Sequence, residues 1–459
     1  MSASRLRLLH AIHDFLPRHR AGSEIYADAL ARAQSDRHDV FVLAAEYDPA
    51  TAHGTIRWRA HDGLPVIELV NNWEFDAFDE TYSSPRLNAQ LRHVIDAVRP
   101  DVLHVHNLLN LSFDLPRLAR RAGARSVATL HDYTLVCASG GQRVHAQESH
   151  VCEVIDPERC RRCFAASPFQ SQRAAGRLTR HPGGRVASRV ASWIRGRAPQ
   201  LAARMHRLPG PAVEAGDMIR REAYARAVFD TIDLFVAPSP FLAREFVRLG
   251  LPPDRLRVSD YGFERFPHDR CDSCPALRIG FVGTLVWHKG AHVLLEAARG
   301  LIGPHEIHVW GDTSVFPDYT ARLRRQADGL PVRFRGGFER SDVARVYGGL
   351  DVLVVPSIWP ENSPLVVHEA FIYNVAVVGA LTGGIPDLIS HDVNGLLFDP
   401  FDPAALRAAL QSLLDDRGLP ARLAAAAPDV KSIEQDALEW EDRYREVLRD
   451  AATAAAVHR

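Results

Sequence analysis

The sequence predicts an α/β protein made of two doubly wound domains, and three observations lead to this prediction. The chain has 459 residues, and 46% of them are apolar. This length is greater than that of one ordinary domain and is sufficient for two, each with its own hydrophobic core. Short apolar runs alternate with amphipathic helical patterns, as in parallel sheets covered by helices. This alternation pauses and restarts near residue 275. We therefore expect domains at 1–265 and 276–430, followed by a C-terminal helix and tail at 431–459.

The first half supplies strands and helices in alternation. LRLLHAI, DVFVLAA, DVLHVHN and SVATLHD are predicted to be strands, with SEIYADALARAQ and LPRLARRAG as helices between them. Residues 165–225 interrupt this pattern with many arginines, and RVASRVASWIRGR within them predicts a basic amphipathic helix. Such a helix can contact an anionic membrane surface, or it can be an insertion that caps the domain. We favour the insertion, because a tryptophan stripe at helical spacing usually packs in a core.

The second half repeats the alternation. LRIGFVGTL, EIHVWGD, VRFRGGF, DVLVVPS and VAVVGA are predicted to be strands, and AHVLLEAARG and SDVARVYGGL are predicted to be helices. The segment 262–276 contains Gly262, Pro267 and Pro275, which is typical of a linker. IEQDALEWEDRYREVLRDA predicts one long final helix.

The net charge and the hydropathy of the chain limit which binding partners and which cellular compartment we expect. The formal net charge of −1 excludes a global field that would attract nucleic acid. No apolar run approaches the roughly 18 to 20 residues of a membrane span, and charges break MSASRLRLLHAIHDFLP where a signal peptide would be apolar. We expect a cytoplasmic protein; if residues 165–225 form the membrane-contacting helix and not the insertion, the protein would be peripheral on the inner face of the membrane.

Four of the six cysteines are clustered, which leaves two interpretations. A reducing compartment disfavours disulfides, so these cysteines are either metal ligands or unliganded thiols. Cys160 and Cys163 form a C-x-x-C pair, and with Cys137 and Cys152 they can close a tetrahedral structural zinc site. The other two cysteines, in CDSC at the domain junction, are predicted to be unliganded.

The segment WPENSPLVVHEAF, at 359–371, contains the residues that point to a ligand. It follows the predicted strand DVLVVPS, and ligands of an open α/β sheet bind where strands end. Ser363 is expected to cap the next helix and Pro364 to lie in its first turn, so amides at that helix N-terminus can bind a phosphate. Glu361 and Glu369 would repel a phosphate, so hydroxyl groups are their expected partners. A buried carboxylate without a partner is costly, which favours a ligand for Glu369. The segment predicts a nucleotide sugar as ligand.

These residues resemble the retaining glycosyltransferases of family 4, whose two-lobed fold is called GT-B. The motifs that support the resemblance lie in both halves of the chain. They are AGSE at 21–24, TLHDY at 129–133, GFVGTLVWHKG at 280–290, PSIWPENSPLVVHEAF at 356–371, GALTGGIPDLI at 379–389 and NGLLF at 394–398. TLHDY followed by the clustered cysteines also resembles a cysteine-bearing branch of this family. The resemblance implies two Rossmann-like domains facing across a cleft, with a C-terminal helix that crosses back to the first.

The resemblance also implies a role for each matching residue. Glu369 would bind the ribose hydroxyls of the donor, Glu361 the transferred sugar, and Lys289 the diphosphate. Gly22, at the end of the first strand, would let the backbone approach the phosphates, and His131 would hydrogen-bond the donor sugar. The other implied donor contacts are Asn362, Ser363, Leu365 and the amides after Gly383 and Gly384. His131, Glu361 and Lys289 form the implied catalytic set.

The implied reaction moves a sugar, with retention of configuration, from a nucleotide-sugar donor to a glycan or lipid-linked acceptor. The setting that the family implies is bacterial surface polysaccharide or glycolipid biosynthesis. The chain has no D-x-D motif, so we expect no catalytic metal and no cofactor for catalysis; a structural zinc is expected only under the metal-ligand interpretation of the cysteines.

Two alternative functions are considered, each in view of a different feature of the sequence. Thr284 stands in GTL where many relatives have arginine, so a second positive charge on the diphosphate must come from elsewhere, such as Arg257 or Arg265. A weak or inactive binding protein with a degenerate donor site is therefore the first alternative. The second is a dinucleotide-dependent oxidoreductase, but no G-x-G-x-x-G follows the first strand, where LLHAIHDFLPRHRAGSE stands instead.

Overall fold

The computed structural model describes residues 4–145, 148–179, 211–267 and 275–457. The chain divides into two compact units. The first comprises residues 1–237, 246–259 and 433–459, and the second comprises 238–245 and 260–432. The predicted helix RVASRVASWIRGR and the CDSC pair lie outside the described residues.

The first unit is built on an eight-stranded sheet that is parallel except at one edge. In chain order, the strands of the first unit are β1 (Arg7–Ile12), β2 (Asp39–Glu46), β3 (Ile56–His61), β4 (Leu64–Val70), β5 (Val102–Val105), β6 (Arg125–Thr129), β7 (Val144–His145), β8 (His150–Val151), β9 (Leu234–Ala237) and β10 (Leu256–Val258). β7 and β8 form a small separate hairpin, and the other strands form the sheet. Their order is β10-β9-β6-β5-β1-β2-β4-β3, with β3 antiparallel to β4. The order reverses between β1 and β5, where an open sheet forms its ligand-binding crevice.

Helices connect these strands. They are α1 (Gly22–Ser35), α2 (Pro85–Val98), α3 (Leu115–Arg121), α4 (Pro157–Ala165), α5 (Pro168–Thr179), α6 (Ala215–Phe229) and α7 (Pro240–Arg248). The sequence analysis missed the β3–β4 hairpin, although its turn carries a standard signal. Asp62 and Gly63 have φ values of 45° and 85°, as expected for an Asp-Gly hairpin turn.

The second unit contains a six-stranded, fully parallel sheet. Its strands are β11 (Leu277–Val282), β12 (His305–Trp310), β13 (Val332–Gly336), β14 (Val352–Val355), β15 (Ala376–Ala380) and β16 (Leu396–Phe398), in the order β13-β12-β11-β14-β15-β16. This is the 3-2-1-4-5-6 order of the dinucleotide-binding fold, and its switch point lies between β11 and β14. The helices are α8 (Ala291–Ala298), α9 (Pro317–Gln326), α10 (Val343–Gly348), α11 (Leu365–Ile372), α12 (Ile385–Leu388), α13 (Pro403–Asp415) and α14 (Leu419–Ala425).

The final helix, α15 (Ile433–Val457), belongs to the first unit although it follows the second in sequence. It packs on α1 through the fully buried rings of Trp440 and Tyr444. The indole N–H of Trp440 donates to the hydroxyl of Tyr26 at 3.0 Å, and this hydroxyl donates to Asp436 at 2.7 Å. The predicted fold class, with a last helix that returns to the first Rossmann-like domain, is confirmed. Within the described residues, no helix combines the length and apolarity needed to cross a membrane.

Candidate functional site

The loop between β14 and α11 holds Glu361 in contact with Lys289. The side chain of Glu361 is buried, and the ammonium of Lys289 lies 2.6 and 2.9 Å from its two carboxylate oxygens. The hydroxyl of Ser357 donates to the same carboxylate at 2.6 Å. Lys289 ends a short 3₁₀ helix, Trp287–Lys289, that follows β11. The pair therefore lies at the carboxyl ends of the two strands that flank the switch point.

Close backbone contacts fix this loop. Gly290 has a φ of 75°, and a Cβ there would lie 1.7 Å from the carbonyl oxygen of Pro356. Gly383 has a φ of 60°, and a Cβ there would lie 2.4 Å from both the nitrogen and the oxygen of Glu361. Only glycine allows these approaches. The glycines therefore hold Lys289 and Glu361 in place.

The amides after Gly383 and Gly384 donate hydrogen bonds within the protein. The N–H of Gly384 donates to the carbonyl of Glu361 at 2.6 Å, and the N–H of Ile385 donates to the carbonyl of Thr382 at 3.3 Å. Because both N–H groups have acceptors within the protein, they stabilise the Glu361 loop. That they lie near the diphosphate or the sugar of a bound donor stays a prediction.

Glu369 lies in α11 and is also paired. Its side chain is 11% exposed, Nη1 of Arg340 lies 2.5 Å from one oxygen, and the hydroxyl of Tyr347 donates to the other at 2.8 Å. Burial and the adjacent Glu369 carboxylate raise the pKa of Tyr347 well above its usual range, so this phenol remains a donor. The premise that Glu369 lacks a protein partner is therefore wrong. Arg340, which also lies 3.7 Å from Glu264, was missed because one arginine in an arginine-rich chain carries no distinguishing signal.

The residues that precede α11 differ from the predicted cap. The helix begins at Leu365, and Pro364 occupies the N-cap position without a side-chain hydrogen bond. The hydroxyl of Ser363 instead donates to Asp260 at 3.1 Å and lies 3.0 Å from Nε2 of His368. Ser363 is therefore a buried contact of α11 and not its cap.

The neighbouring loop residues have mixed exposure. Asn362 is buried, and its carbonyl accepts a hydrogen bond from the hydroxyl of Ser239. Leu365 is half-buried at the first helical position. Thr284 is exposed after β11, and its carbonyl accepts from the N–H of Val286 at 2.9 Å.

The two arginines considered as substitutes for a charge at Thr284 are engaged elsewhere. Arg257 lies in the first unit, 3.7 Å from Glu446, and Arg265 donates to the carbonyl of Val430 at 2.6 Å. Arg340 is the cation that the second unit places beside Glu369.

In the first unit, His131 lies two residues after the end of β6. Its Nε2 lies 3.0 Å from Nδ1 of His106, and burial, with the nearby His13, lowers the pKa of His131 to about 3. Both rings line a pocket together with Asn107, Asp132 and Thr134. The ring of His131 is therefore neutral at physiological pH and lies at a strand end, as predicted.

Gly22 is not at the end of the first strand. β1 ends at Ile12, and Gly22 is the first residue of α1, so the expected position was wrong. Glu24, two residues further on, is buried and lies 3.3 Å from Nε2 of His13. The site at the start of α1 is thus a helix N-terminus that already contains a paired carboxylate.

All four clustered cysteines are free thiols in partly buried positions. Burial raises the pKa of Cys152 to about 11 and that of Cys160 to about 12, and the neighbouring sulfurs are the second cause of the rise. The thiols therefore lie near one another. Among the described residues, however, groups of three ligand atoms within 4.8 Å occur only at His10–His104–His106 and His13–Asp14–Glu24. The donor chemistry of the cysteines fits zinc, but their spacing as it stands is not that of a closed site.

Comparisons with known proteins agree on one family. Residues 20–183 match the family model described as Glycosyltransferase Family 4, and residues 276–416 match the one described as Glycosyl transferases group 1. The D-inositol 3-phosphate glycosyltransferase of Xylanimonas cellulosilytica is 32% identical over 272 residues, covering 51% of this chain and 65% of that protein. The amylovoran biosynthesis glycosyltransferase AmsK of Erwinia amylovora is 29% identical over 217 residues, covering 44% of this chain and 52% of that protein. The chain matches less than two thirds of the length of either relative.

The class follows from the fold. The crystal structure of Anabaena Alr3699/HepE in complex with UDP and glucose superposes with a TM-score of 0.60 at 16% identity, covering 99% of this chain and 100% of that one. This likeness, which concerns the fold alone, and the two Rossmann-like sheets define a GT-B protein. Glycosyltransferase family models match both halves of the chain, which supports a glycosyltransferase of the family 4 type.

Arg340→Met tests whether the buried pair with Glu369 stabilises the second unit. The variant keeps an apolar stem but leaves the carboxylate without its cation, so we expect a loss of about 1–3 kcal/mol in the free energy of unfolding. Chemical denaturation measures the loss. Arg345→Met is the matched control, because Arg345 is 64% exposed and pairs with Asp342 on the surface, where we expect less than about 0.5 kcal/mol. Equal losses in the two variants would contradict a stabilising role for the Arg340–Glu369 pair.

Proposed function

We propose that this protein is a retaining glycosyltransferase that transfers a sugar from a nucleotide-sugar donor to a glycan or lipid-linked acceptor. The proposal rests on the contact between Lys289 and the buried carboxylate of Glu361 at the switch point of the second unit. A lysine and a carboxylate held there by glycine contacts offer a cation for a diphosphate and an acceptor for sugar hydroxyls. UDP in the structure of a protein with the same fold supports the donor class.

Donor binding would proceed by exchange of partners. The diphosphate would replace the carboxylate as partner of Lys289, and the sugar hydroxyls would donate to Glu361. Likewise, ribose hydroxyls would donate to Glu369, while Arg340 retains Glu264. Each buried charge then keeps a partner in both states, which avoids the cost of an unpaired buried ion.

The chemical step builds negative charge on the leaving diphosphate. Lys289 would stabilise that charge electrostatically, and the N-terminus of α11 would contribute its partial positive charge. This proposal assigns no step to a metal ion. A relative named for amylovoran biosynthesis supports a role in bacterial surface polysaccharide or glycolipid formation. Contact of the 165–225 segment with an anionic membrane is a further part of the proposal and rests on its sequence.

The alternative is a binding protein with a weak or inactive donor site. This alternative is supported by Thr284, whose uncharged side chain is exposed at a position where many relatives have arginine. The two functions differ in whether a nucleotide sugar binds and is turned over.

Glu369→Gln tests the donor site. Calorimetry with UDP-, GDP-, ADP- and TDP-sugars should show binding of one donor class by the wild type and a loss of about 10-fold to 100-fold in affinity in the variant, because ribose hydroxyls lose a charged acceptor. Glu306→Gln is the control, since Glu306 is a paired carboxylate of the same unit, 3.3 Å from Arg333, and has no assigned donor contact. Unchanged affinity in Glu369→Gln, or equal losses in both variants, would refute the ribose assignment. If no donor binds the wild type, the degenerate-site alternative takes its place.

Lys289→Met tests the diphosphate assignment. We expect kcat to fall by about 100-fold or more, because one preorganised cation at the leaving group is lost. Lys289→Arg should restore part of the activity. Lys431→Met is the control, since Lys289 and Lys431 are the two lysines of the chain and only Lys289 lies at the switch point. A kcat within about threefold of wild type in Lys289→Met would rule out this role.

We also propose that Cys137, Cys152, Cys160 and Cys163 bind a structural zinc ion. Binding would draw the four sulfurs together as thiolates and reverse the rise in the pKa values of Cys152, Cys160 and Cys163. Elemental analysis of protein purified without chelator should give about one zinc per chain, and Cys160→Ser with Cys163→Ser should lose it. The control replaces Cys271 and Cys274 with serine and should retain the metal. A folded wild-type protein that contains no metal would reject the site.

A further inference from the structure

A continuous line of hydrogen bonds runs through the buried part of the first unit and ends at His131. Nε2 of His131 is the partner of Nδ1 in His106, and Nε2 of His106 is the partner of Nδ1 in His10, both at 3.0 Å. Nε2 of His10 lies 3.0 Å from Oε1 of Gln34. His10, His106 and Gln34 are buried. The line connects a residue of the proposed donor site with a glutamine on α1.

The line continues from Gln34 to the last helix. The amide nitrogen of Gln34 donates to the hydroxyl of Tyr444 at 3.2 Å. This hydroxyl lies 2.7 Å from Nδ1 of His104, and Nε2 of His104 lies 2.8 Å from the hydroxyl of Thr129. Tyr444 belongs to α15, so the C-terminal helix takes part in this network.

Each ring in the line has a single N–H. Burial lowers the pKa of His10 to about 4 and that of His131 to about 3, and it lowers the pKa values of His104 and His106 well below the usual range. A neutral imidazole has one donor and one acceptor nitrogen. The direction of one hydrogen bond therefore fixes the direction of all the others.

The amide of Gln34 sets that direction. Its oxygen can only accept, so Nε2 of His10 carries the proton and Nδ1 of His10 accepts from Nε2 of His106. By the same step, Nε2 of His131 donates to His106. The amide nitrogen of Gln34 can only donate, so the hydroxyl of Tyr444 gives its proton to Nδ1 of His104. All four histidines are then in the Nε2–H form.

We propose that Gln34 is a positioning residue that fixes the tautomer of His131 through His106 and His10, so that Nδ1 is the acceptor nitrogen of His131 and suits a hydroxyl of the bound sugar. The assignment of the sugar to His131 rests on the proposed function, whereas the tautomer itself does not. The proposal also explains why a polar glutamine is fully buried on α1.

A metal ion is the competing explanation for part of this cluster. Ring nitrogens of His10, His104 and His106 lie within 4.8 Å of one another. Every ring nitrogen of these three histidines, however, already has a hydrogen-bond partner on another side chain. A metal would have to break these bonds, so the hydrogen-bonded line accounts for the geometry without one.

Histidine tautomers can be read directly by nitrogen NMR of the unliganded full-length protein labelled with [¹⁵N]histidine. Long-range proton–nitrogen spectra at pH 7 separate the Nε2–H form from the Nδ1–H form, and single histidine variants assign the signals. We expect His131 and the other three histidines in the Nε2–H form, unchanged from about pH 8 to about pH 5 because their pKa values lie lower. An Nδ1–H signal for His131 would overturn the proposed direction, and a metal-bound spectrum would overturn the hydrogen-bonded line.

Gln34→Met tests the source of the direction, because methionine has similar length and no amide. We expect His131 to become a mixture of both tautomers and kcat/KM to fall by about threefold to tenfold, as for the loss of one oriented hydrogen bond. His38 is an internal control. His38 is buried but does not belong to this line of hydrogen bonds. Its Nδ1 accepts from the N–H of Leu6 at 3.3 Å, so its Nε2–H form should persist. An unchanged His131 tautomer in Gln34→Met would overturn the proposal.

Gln34→Glu provides a second test if the methionine variant does not fold. An ionised carboxylate accepts from both His10 and Tyr444, so the hydroxyl of Tyr444 no longer donates to His104. We expect His104 to switch to the Nδ1–H form while His131 remains Nε2–H. Absence of this selective switch would overturn the proposal. Because both readouts use unliganded protein, a protein without transfer activity would refute the proposed function and leave the tautomer result intact.

Discussion

The site of the second unit depends on the pairing of two buried carboxylates with two cations. Glu361 and Glu369 are 4% and 8% exposed, and an ionised carboxylate at such depth is costly unless it is paired and hydrogen-bonded. Lys289 with Ser357 satisfies the first, and Arg340 with Tyr347 satisfies the second. A ligand that enters must therefore offer an anion to the cations and hydroxyl groups to the carboxylates. A nucleotide sugar contains both kinds of group, which is the physical reason that this arrangement suits it.

Close backbone contacts allow such an exchange without rearrangement of the loop. Side-chain atoms at Gly290 and Gly383 would collide with the carbonyl of Pro356 and with the backbone of Glu361. The hydrogen bond from Gly384 to the carbonyl of Glu361 adds a second constraint. With the backbone fixed, only the ends of the Lys289 and Glu361 side chains need to change partners. Preorganisation of this kind reduces the free-energy cost of ordering when the ligand binds.

The sequence predicted the parts of this site that depend on local pattern. Apolar runs located β11 and β14, and their ends located Lys289 and Glu361, because a parallel sheet places strand ends at one edge. It failed where the partner is distant in sequence. Arg340 lies 29 residues before Glu369, and the acceptor for the N–H of Gly384 is in the preceding loop. Ser363 looked like a helix cap by residue type, but its hydroxyl bonds to Asp260, a contact that no local pattern encodes.

The two candidate sites bury polar groups in different ways, and this difference divides the proposed chemistry between them. The site of the second unit uses ion pairs, so it holds cations that could meet the charge on a leaving diphosphate. The histidine line of the first unit is neutral, because burial lowers the pKa values of its rings. A neutral acceptor such as Nδ1 of His131 cannot stabilise a developing anion, but it can select and orient an uncharged hydroxyl without adding a charge near the diphosphate. In the proposed function, sugar recognition by this line and charge stabilisation by Lys289 would thus be separate tasks, each assigned to the kind of group suited to it.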